Sequence, residues 1–490
     1  MNPALRRTGV IALALLGALI AQATWVGFFH HDDYEGILSG RTLIAEYSVP
    51  RGSILAGDLV IAQSVPTDGG TYGYKRDYPE GEAFSNLTGF KSMTFGATGI
   101  EYAENDLLNG TSSLLAFDDF WATILKERKP GGNVVTTIDP ELQLAAFEAL
   151  ANSGVKGAAV VLDPRTGQIL AQVSYPGWNP TEMSSNNYDV ASAAKEAIDG
   201  DADNPARDRS RLEHYPPGST FKTIVAAAFI ENGGKADSMV PAGNGYTAPN
   251  TNHTITNSSN QCPQEQMTLE EAFAKSCNTT FARLCVEELT AEQIQQTAEA
   301  FGFGEAYETP LATEPSSTGD LSEPAFRAQA CIGQQDVQET VLQNALIAAT
   351  VANDGERMAP QLIAELTDSE GDTVRNGGED SLGRSISRDT AEELQIIMEA
   401  VVDPGGNGTG KNAAVSGYTV GGKTGTAEHS DSSDNIEPDH GWFHGWGMDD
   451  DGEPAVAVCV FLDSYGDGAS SKAADISGNL MEMVLEGDGD

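Results

Sequence analysis

A hydroxyl and an amine three residues apart open the chemical case: Ser219 and Lys222, in Tyr215-Pro216-Pro217-Gly218-Ser219-Thr220-Phe221-Lys222. Pro-Pro-Gly forbids helix before Ser219 and the apolar run Ile224 to Ile230 favours it afterwards, so Ser219 is expected at a helix N-terminus. There the helix dipole and free backbone N–H groups stabilise developing negative charge. Lys222 falls on the same helical face. A lysine partly removed from water, with a lowered pKa, takes a hydroxyl proton that a solvated lysine cannot. The chemistry would be nucleophilic acyl transfer. Alone the spacing is weak, because ordinary Ser and Lys usage gives about one such match in a chain this long.

Two further segments decide its weight. Lys275-Ser276-Cys277-Asn278 lies in a helical region and offers a second hydroxyl and a carboxamide two residues apart. Val420-Gly421-Gly422-Lys423-Thr424-Gly425-Thr426-Ala427-Glu428 reads as a strand whose glycines leave room for a substrate backbone. On that strand Thr424 and Thr426 share a face, and a cation with hydroxyls suits a carboxylate. Other patterns carry less. Gly405 to Lys411 resembles a phosphate loop, but Asn412 replaces the Ser or Thr that would bind magnesium, and Asp403-Pro404 precedes it rather than a strand. The seven histidines form neither G-x-S-x-G with a triad nor H-E-x-x-H. His30-His31-Asp32-Asp33 reads as a solvated patch, and His429, His440 and His444 are unassigned groups that follow the strand.

The elements that must position these residues follow from texture. After Pro130-Gly131-Gly132, Asn133 to Ile138 reads as a strand, and Asp139-Pro140 starts a helix running to about Ala151, with Asp as N-cap. Ala158 to Leu162 and Gln168 to Val173 form a hairpin-like pair around Asp163 to Gly167. Helices dominate from Ser219 to about Asn353, strands return at Tyr418 to Thr426 and Ala455 to Leu462, and a last helix covers about Ala473 to Leu485. Strands at both ends with helices between suggest a sheet whose first and last segments are neighbours, packed under helices. The stretch from His31 to Pro130 holds short strand-like pieces, Leu43 to Val49 and Ser53 to Ile61, and reads as a small non-catalytic module. The acidic, Ser/Gly-rich segments 199–203, 313–324, 368–387 and 430–439 read as surface loops.

The chain has 490 residues and a formal charge of -44, from 72 acidic against 28 basic residues. Its length favours two or three domains, and its charge excludes a nucleic-acid partner. Arg6 and Arg7 precede an apolar run from Gly9 to Phe29, about 20 residues, enough for a membrane span with its N-terminus inside and the rest of the chain outside. A cleaved signal peptide ending at Ala21-Gln22-Ala23 is the competing reading, disfavoured because Trp25 to Phe29 prolong the run. Either way the catalytic part is exported. No internal repeat is present.

Ser219 to Lys222, Ser276 to Asn278 and Lys423 to Gly425, in this order, resemble the SxxK, SxN and KTG motifs of active-site serine penicillin-recognising enzymes. Arg51-Gly52-Ser53-Ile54-Leu55, the anchor, Asp163-Pro164-Arg165-Thr166-Gly167, Ile332-Gly333-Gln334 and Trp442-Phe443 extend the likeness over nearly the whole chain. It is similar to class B penicillin-binding proteins, and within them to the actinobacterial penicillin-binding protein A group. The resemblance implies an α+β penicillin-recognising serine transpeptidase fold, an antiparallel sheet with helices on both faces plus an all-helical lobe. It also implies three parts: residues 1–30 as cytoplasmic tip and transmembrane anchor, 31–130 as a pedestal or dimerisation-like domain, and 131–490 as the transpeptidase domain. Ser219 would be the acylated nucleophile and Lys222 its general base. Ser276 and Asn278 would relay protons and hold the substrate amide. Lys423 and Thr424, in the strand with Gly425 and Thr426, would hold the terminal carboxylate, and the N–H groups of Ser219 and Thr426 would form the oxyanion hole. Cys277 departs from relatives that carry Asp or Ser there, which bears little on catalysis.

The implied activity is D,D-transpeptidation of peptidoglycan stem peptides, blocked by β-lactams, with no metal or cofactor. A D,D-carboxypeptidase or β-lactamase-type hydrolase is one alternative; Glu287-Glu288-Leu289-Thr290 only faintly resembles the glutamate element of class A β-lactamases. A non-catalytic β-lactam sensor is another. Roughly 100 residues between anchor and catalytic domain are too few for a glycosyltransferase, so a membrane glycosyltransferase of the shape, elongation, division and sporulation type is the implied partner.

Five cysteines in an exported chain allow disulfides and leave at least one thiol free. A Cys262–Cys277 bridge is expected, since Cys262-Pro263 lies in a loop where a lone exposed thiol would oxidise. Cys285, in an apolar helical pattern, and Cys459, in a hydrophobic strand, read as small core residues.

Overall fold

The computed structural model describes residue 16 and residues 42–115, 129–307, 309–430 and 435–487. The expected span Gly9–Phe29 lies outside them except for Leu16, as does the patch His30 to Asp33. Among the described residues no helix is long and apolar enough to cross a membrane.

The strands of the two larger sheets, in chain order, are β1 (Ile54–Ala56), β2 (Leu59–Pro66), β3 (Tyr74–Asp77), β4 (Asn133–Thr136), β5 (Gly157–Leu162), β6 (Ile169–Tyr175), β7 (Ile363–Thr367), β8 (Thr373–Asn376), β9 (Val420–Ala427), β10 (His440–Met448) and β11 (Pro454–Leu462). The helices that matter here are α1 (Pro140–Ser153), α2 (Lys222–Glu231), α3 (Leu269–Ala274), α4 (Asn278–Arg283), α5 (Val341–Ala352), α6 (Arg388–Val402) and α7 (Ala469–Gly487).

The catalytic half is built on an antiparallel sheet in the order β9-β10-β11-β5-β6. The first strand after α1, β5, pairs with the last strand, β11, as the texture at the two ends of the segment suggested. Ala159 and Val161 of β5 join a core with Leu142, Ala146 and Leu150 of α1 and with Leu480 and Leu485 of α7. Ala158, Val160 and Leu162, on the opposite face, pack with Val341, Leu342 and Ala345 of α5. Period-2 alternation therefore feeds two cores, and a strand buried on both faces reads as an unbroken apolar run. Helices cover both faces, and α2, α3 and α6 continue the first core into a helical lobe. This is the α+β arrangement expected. At the start of α1, Asp139 caps the helix by accepting the N–H of Leu142, with Pro140 at the first position and Gly154 closing the far end at φ +76°.

A second sheet runs β8-β7-β4-β1-β2-β3 and takes strands from both sides of residue 130. β4 lies parallel to β1 and antiparallel to β7. Arg51 and Arg76 clamp the fully buried carboxylate of Glu101 in this half; burial alone would raise the Glu101 pKa, but the two guanidiniums hold it below its usual value.

Several expectations need correction. β10 is the central neighbour of the motif strand, yet His440-Gly441-Trp442-Phe443-His444-Gly445-Trp446 did not read as a strand, because glycines and histidines break the β-branched pattern. Segment 368–387 is not all loop: β8 and the strand Ser381–Arg384 lie in it, and as exposed edges they carry polar residues on both faces. Residues 42–46, at the start of the expected strand Leu43 to Val49, are helical; so short an apolar run does not distinguish the two states. Cys285 is not a lone core thiol. It pairs with Cys331 at a Cα separation of 6.5 Å, 46 residues downstream, a partner that helical periodicity cannot reveal. Cys262 and Cys277 are bridged at 6.1 Å, and Cys459 is a buried free thiol.

Candidate active site

Ser219 lies in a 3-10 turn, Gly218–Phe221, that leads into α2. The α-helix itself therefore starts at Lys222, one turn later than the sequence suggested. Gly218 has φ +57°, and a Cβ there would stand 2.3 Å from the carbonyl oxygen of Thr426, so only glycine lets the turn approach β9 this closely. Gly425 plays the same part from the strand: its Cβ would lie 2.6 Å from the Pro217 carbonyl oxygen.

Four oxygens surround Lys222 Nζ: Ser219 Oγ at 2.9 Å, the Ser276 carbonyl at 2.9 Å, Ser276 Oγ at 3.1 Å and Asn278 Oδ1 at 2.7 Å. Burial, and then the neighbouring Lys423, hold Lys222 well below the usual lysine range. A neutral amine has two hydrogens and one lone pair. The Ser276 carbonyl and Asn278 Oδ1 cannot donate, so they take the two hydrogens and the lone pair is left for a hydroxyl. That is the state in which Lys222 can accept the Ser219 proton.

Ser276 precedes α4 with φ +58°, and Cys277 is the N-cap of that helix. The Cys262–Cys277 bridge fastens this corner. Asn278 Nδ2 donates to the Thr256 carbonyl at 3.1 Å, which fixes the amide; among the described residues the second N–H of that group has no partner. Lys423 Nζ donates to Ser276 Oγ at 2.9 Å and to the Thr424 carbonyl at 3.0 Å, and burial lowers its pKa to about 7. The Phe281 and Phe273 rings lie 5.6 Å from Lys222 Nζ and 5.5 Å from Lys423 Nζ, apolar walls that also remove water from the two amines.

A cleft of ≈ 810 Å³ opens over these groups, lined by Ser219, Ser276, Asn278, Thr424 and Thr426 among others. The structure thus brings together the residues of all three motifs. It adds Thr409, whose hydroxyl is 2.5 Å from that of Thr424. Nothing in the sequence marked Thr409, which belongs to the loop read as a failed phosphate loop. That loop follows α6 rather than a strand, and Lys411 Nζ turns back onto the Gly406 carbonyl at 2.5 Å. Glu287 and Glu288 are exposed and do not line the cleft.

The three unassigned histidines separate. His444 is fully buried. His429 and His440 stack with centroids 3.6 Å apart and 13° between planes, and with Asp463 their ligand atoms lie within 4.8 Å of one another. Parallel rings at that spacing cannot aim two nitrogen lone pairs at one ion. Ser464 meanwhile engages both histidines.

The family model of the penicillin binding protein transpeptidase domain matches residues 157–482, and that of the penicillin binding protein A dimerisation domain matches residues 51–134. The chain belongs to the penicillin-binding protein transpeptidase family. It is similar to peptidoglycan D,D-transpeptidase PbpA of Mycolicibacterium smegmatis, 36% identical over 493 residues that cover 99% of this chain and 98% of the relative. PbpA of Mycobacterium tuberculosis is 35% identical over the whole of both chains. Penicillin-binding protein A from M. tuberculosis, solved as imipenem and penicillin G acyl-enzyme complexes, superposes with TM-scores of 0.83 and 0.81 at 33% identity, covering 90% of this chain.

Proposed function

We propose that the chain is a peptidoglycan D,D-transpeptidase that works through a Ser219 acyl-enzyme and is a target of β-lactams. The observation that carries this reading is the 2.9 Å contact between Ser219 Oγ and the buried Lys222 amine. Lys222 takes the hydroxyl proton as Oγ bonds to the carbonyl carbon between the two terminal D-alanines of a stem peptide. The oxyanion lies against the N–H groups of Ser219 and Thr426. Collapse breaks the C–N bond, and the proton passes through Ser276 to the departing D-alanine amine. An amine of a neighbouring stem peptide then attacks the ester, returning the serine hydroxyl. Lys423 and Thr424 bind the terminal carboxylate, Gly425 lets the turn that carries Ser219 close on the strand rather than making room for the donor backbone, and the second N–H of the Asn278 amide supports the donor amide.

The apolar run after Arg6 and Arg7 supports a single-pass anchor in the cytoplasmic membrane, with residues 31–130 as a pedestal and the transpeptidase domain outside. Glycan polymerisation falls to a separate membrane glycosyltransferase of the shape, elongation, division and sporulation type. A D-Ala-D-Ala peptide offered with an amine acceptor tests the reading by mass spectrometry of the products. Cross-linked product plus free D-alanine is expected. Hydrolysed peptide alone would make the chain a carboxypeptidase, and penicillin acylation without peptide turnover would make it a sensor.

A further inference from the structure

Behind the nucleophile runs a chain of hydrogen bonds that none of these steps uses. Thr220 Oγ1 donates to the Pro217 carbonyl at 2.9 Å, and Asn344 Nδ2, on α5, donates to Thr220 Oγ1 at 3.0 Å. Asn344 Oδ1 meets His444 Nδ1, and the other ring nitrogen, Nε2, lies 3.0 Å from Thr223 Oγ1. All four side chains are buried. Burial, and then Lys423, push the His444 pKa down to about 3, so the ring is neutral and carries one N–H. An amide oxygen only accepts. The hydrogen is therefore on Nδ1, and Nε2 accepts from the Thr223 hydroxyl. Every group in the chain is satisfied in a single direction, from Thr223 through His444, Asn344 and Thr220 to Pro217.

The two ends of this chain matter. Thr220 follows Ser219 and Thr223 follows Lys222. His444 stands directly opposite Lys423 across the β9–β10 ladder, where paired side chains share one face. One imidazole thus reaches both sides of the Ser219–Lys222 segment, Thr223 directly and Thr220 through Asn344, and belongs to the strand pair that carries the second lysine. An aliphatic side chain would fill the same core volume without tying these elements together.

We propose that His444 is a positioning residue for acylation: bridging Thr223 and Asn344, it sets the Ser219–Lys222 turn against the Lys423 strand. The inference rests on the transpeptidase reading above. Without the bridge the turn is free to shift against β9, and a displacement of about 1 Å at reacting atoms lowers rates about 100-fold.

Two variants of the full chain test this. His444→Phe keeps an aromatic ring and removes both hydrogen bonds; Thr223→Val keeps the shape and removes one hydroxyl. Acylation by a fluorescent penicillin is followed from about pH 5 to about pH 9, with thermal melts in parallel. Each variant is expected to slow the acylation step about 10- to 100-fold, to leave the dissociation constant of the initial complex unchanged and to move the acid-limb midpoint. The double variant should be no slower than the slower single one, and His444→Gln should recover part of the rate. Wild-type rate and midpoint in Thr223→Val, or rate losses that multiply in the double variant, would overturn the proposal, and Thr223→Val decides even if His444→Phe does not fold. Wild-type protein that is not labelled at Ser219 would instead remove the transpeptidase reading itself.

Discussion

Gly333 and Gly218 meet backbone to backbone: the Gly333 carbonyl accepts the Gly218 N–H at 2.9 Å. Gly333 has φ +73°, and a Cβ there would lie 1.7 Å from the Gly218 carbonyl oxygen. The turn that follows the helix Pro324–Ala330 and precedes α5 thus sets the residue before the nucleophile through contact that only glycine permits. Cys331, two residues earlier, is tied by its disulfide to the turn after α4. Gly333→Ala must therefore push Gly218, and Ser219 with it, away from Thr426. Acylation should fall about 100-fold or more, with a stability loss of about 1–3 kcal/mol. Penicillin-labelling kinetics beside a thermal melt check both, and wild-type labelling would show that the turn tolerates the shift.

The two lysines give kcat/KM a defined pH profile. Lys222 acts as a base, so its active form is the deprotonated one, and activity rises as pH passes its depressed pKa. Lys423 binds a carboxylate, so its active form is the cation, which is lost as pH rises through about 7. A fall on the alkaline side is expected, belonging to Lys423 in the free enzyme. Lys423→Arg keeps the charge to high pH and should abolish that fall, while lowering the maximum. An alkaline limb that survives in Lys423→Arg belongs to another group.

How legible all this was depends on range. The lysine and serine motifs, α1 with its Asp139 cap, and the pairing of β5 with β11 follow from local spacing and from apolar runs that record burial on two faces. β10 was hidden because its burial is carried by Trp442, Phe443 and Trp446 set among glycines that close approach demands; a Cβ at Gly441 would lie 2.4 Å from the Ala469 backbone. Thr409, Asn344 and the Cys285–Cys331 bridge act across distances in sequence that no period encodes. The neutral His444 could not be read either, since its state is fixed by burial and by an amide 100 positions away.

Glu339 provides the last test. Its backbone pairs with Tyr215, N–H to carbonyl both ways at 3.0 Å, four residues before the nucleophile. Its carboxyl is fully buried, and neither oxygen has a hydrogen-bond partner among the described residues. Burial raises its pKa well above 4.5. A carboxyl whose pKa rises on folding holds its proton more tightly in the native state. Between 4.5 and the native value the folded chain binds more protons than the unfolded one, so this group's contribution to stability falls as pH rises. Glu339→Gln removes the titration and keeps the shape. The variant should be more stable than wild type at about pH 8 by about 1–3 kcal/mol, with a smaller advantage at about pH 5. Thermal melts of both proteins across that range measure the gap, and a gap that stays constant with pH would mean that Glu339 does not titrate there.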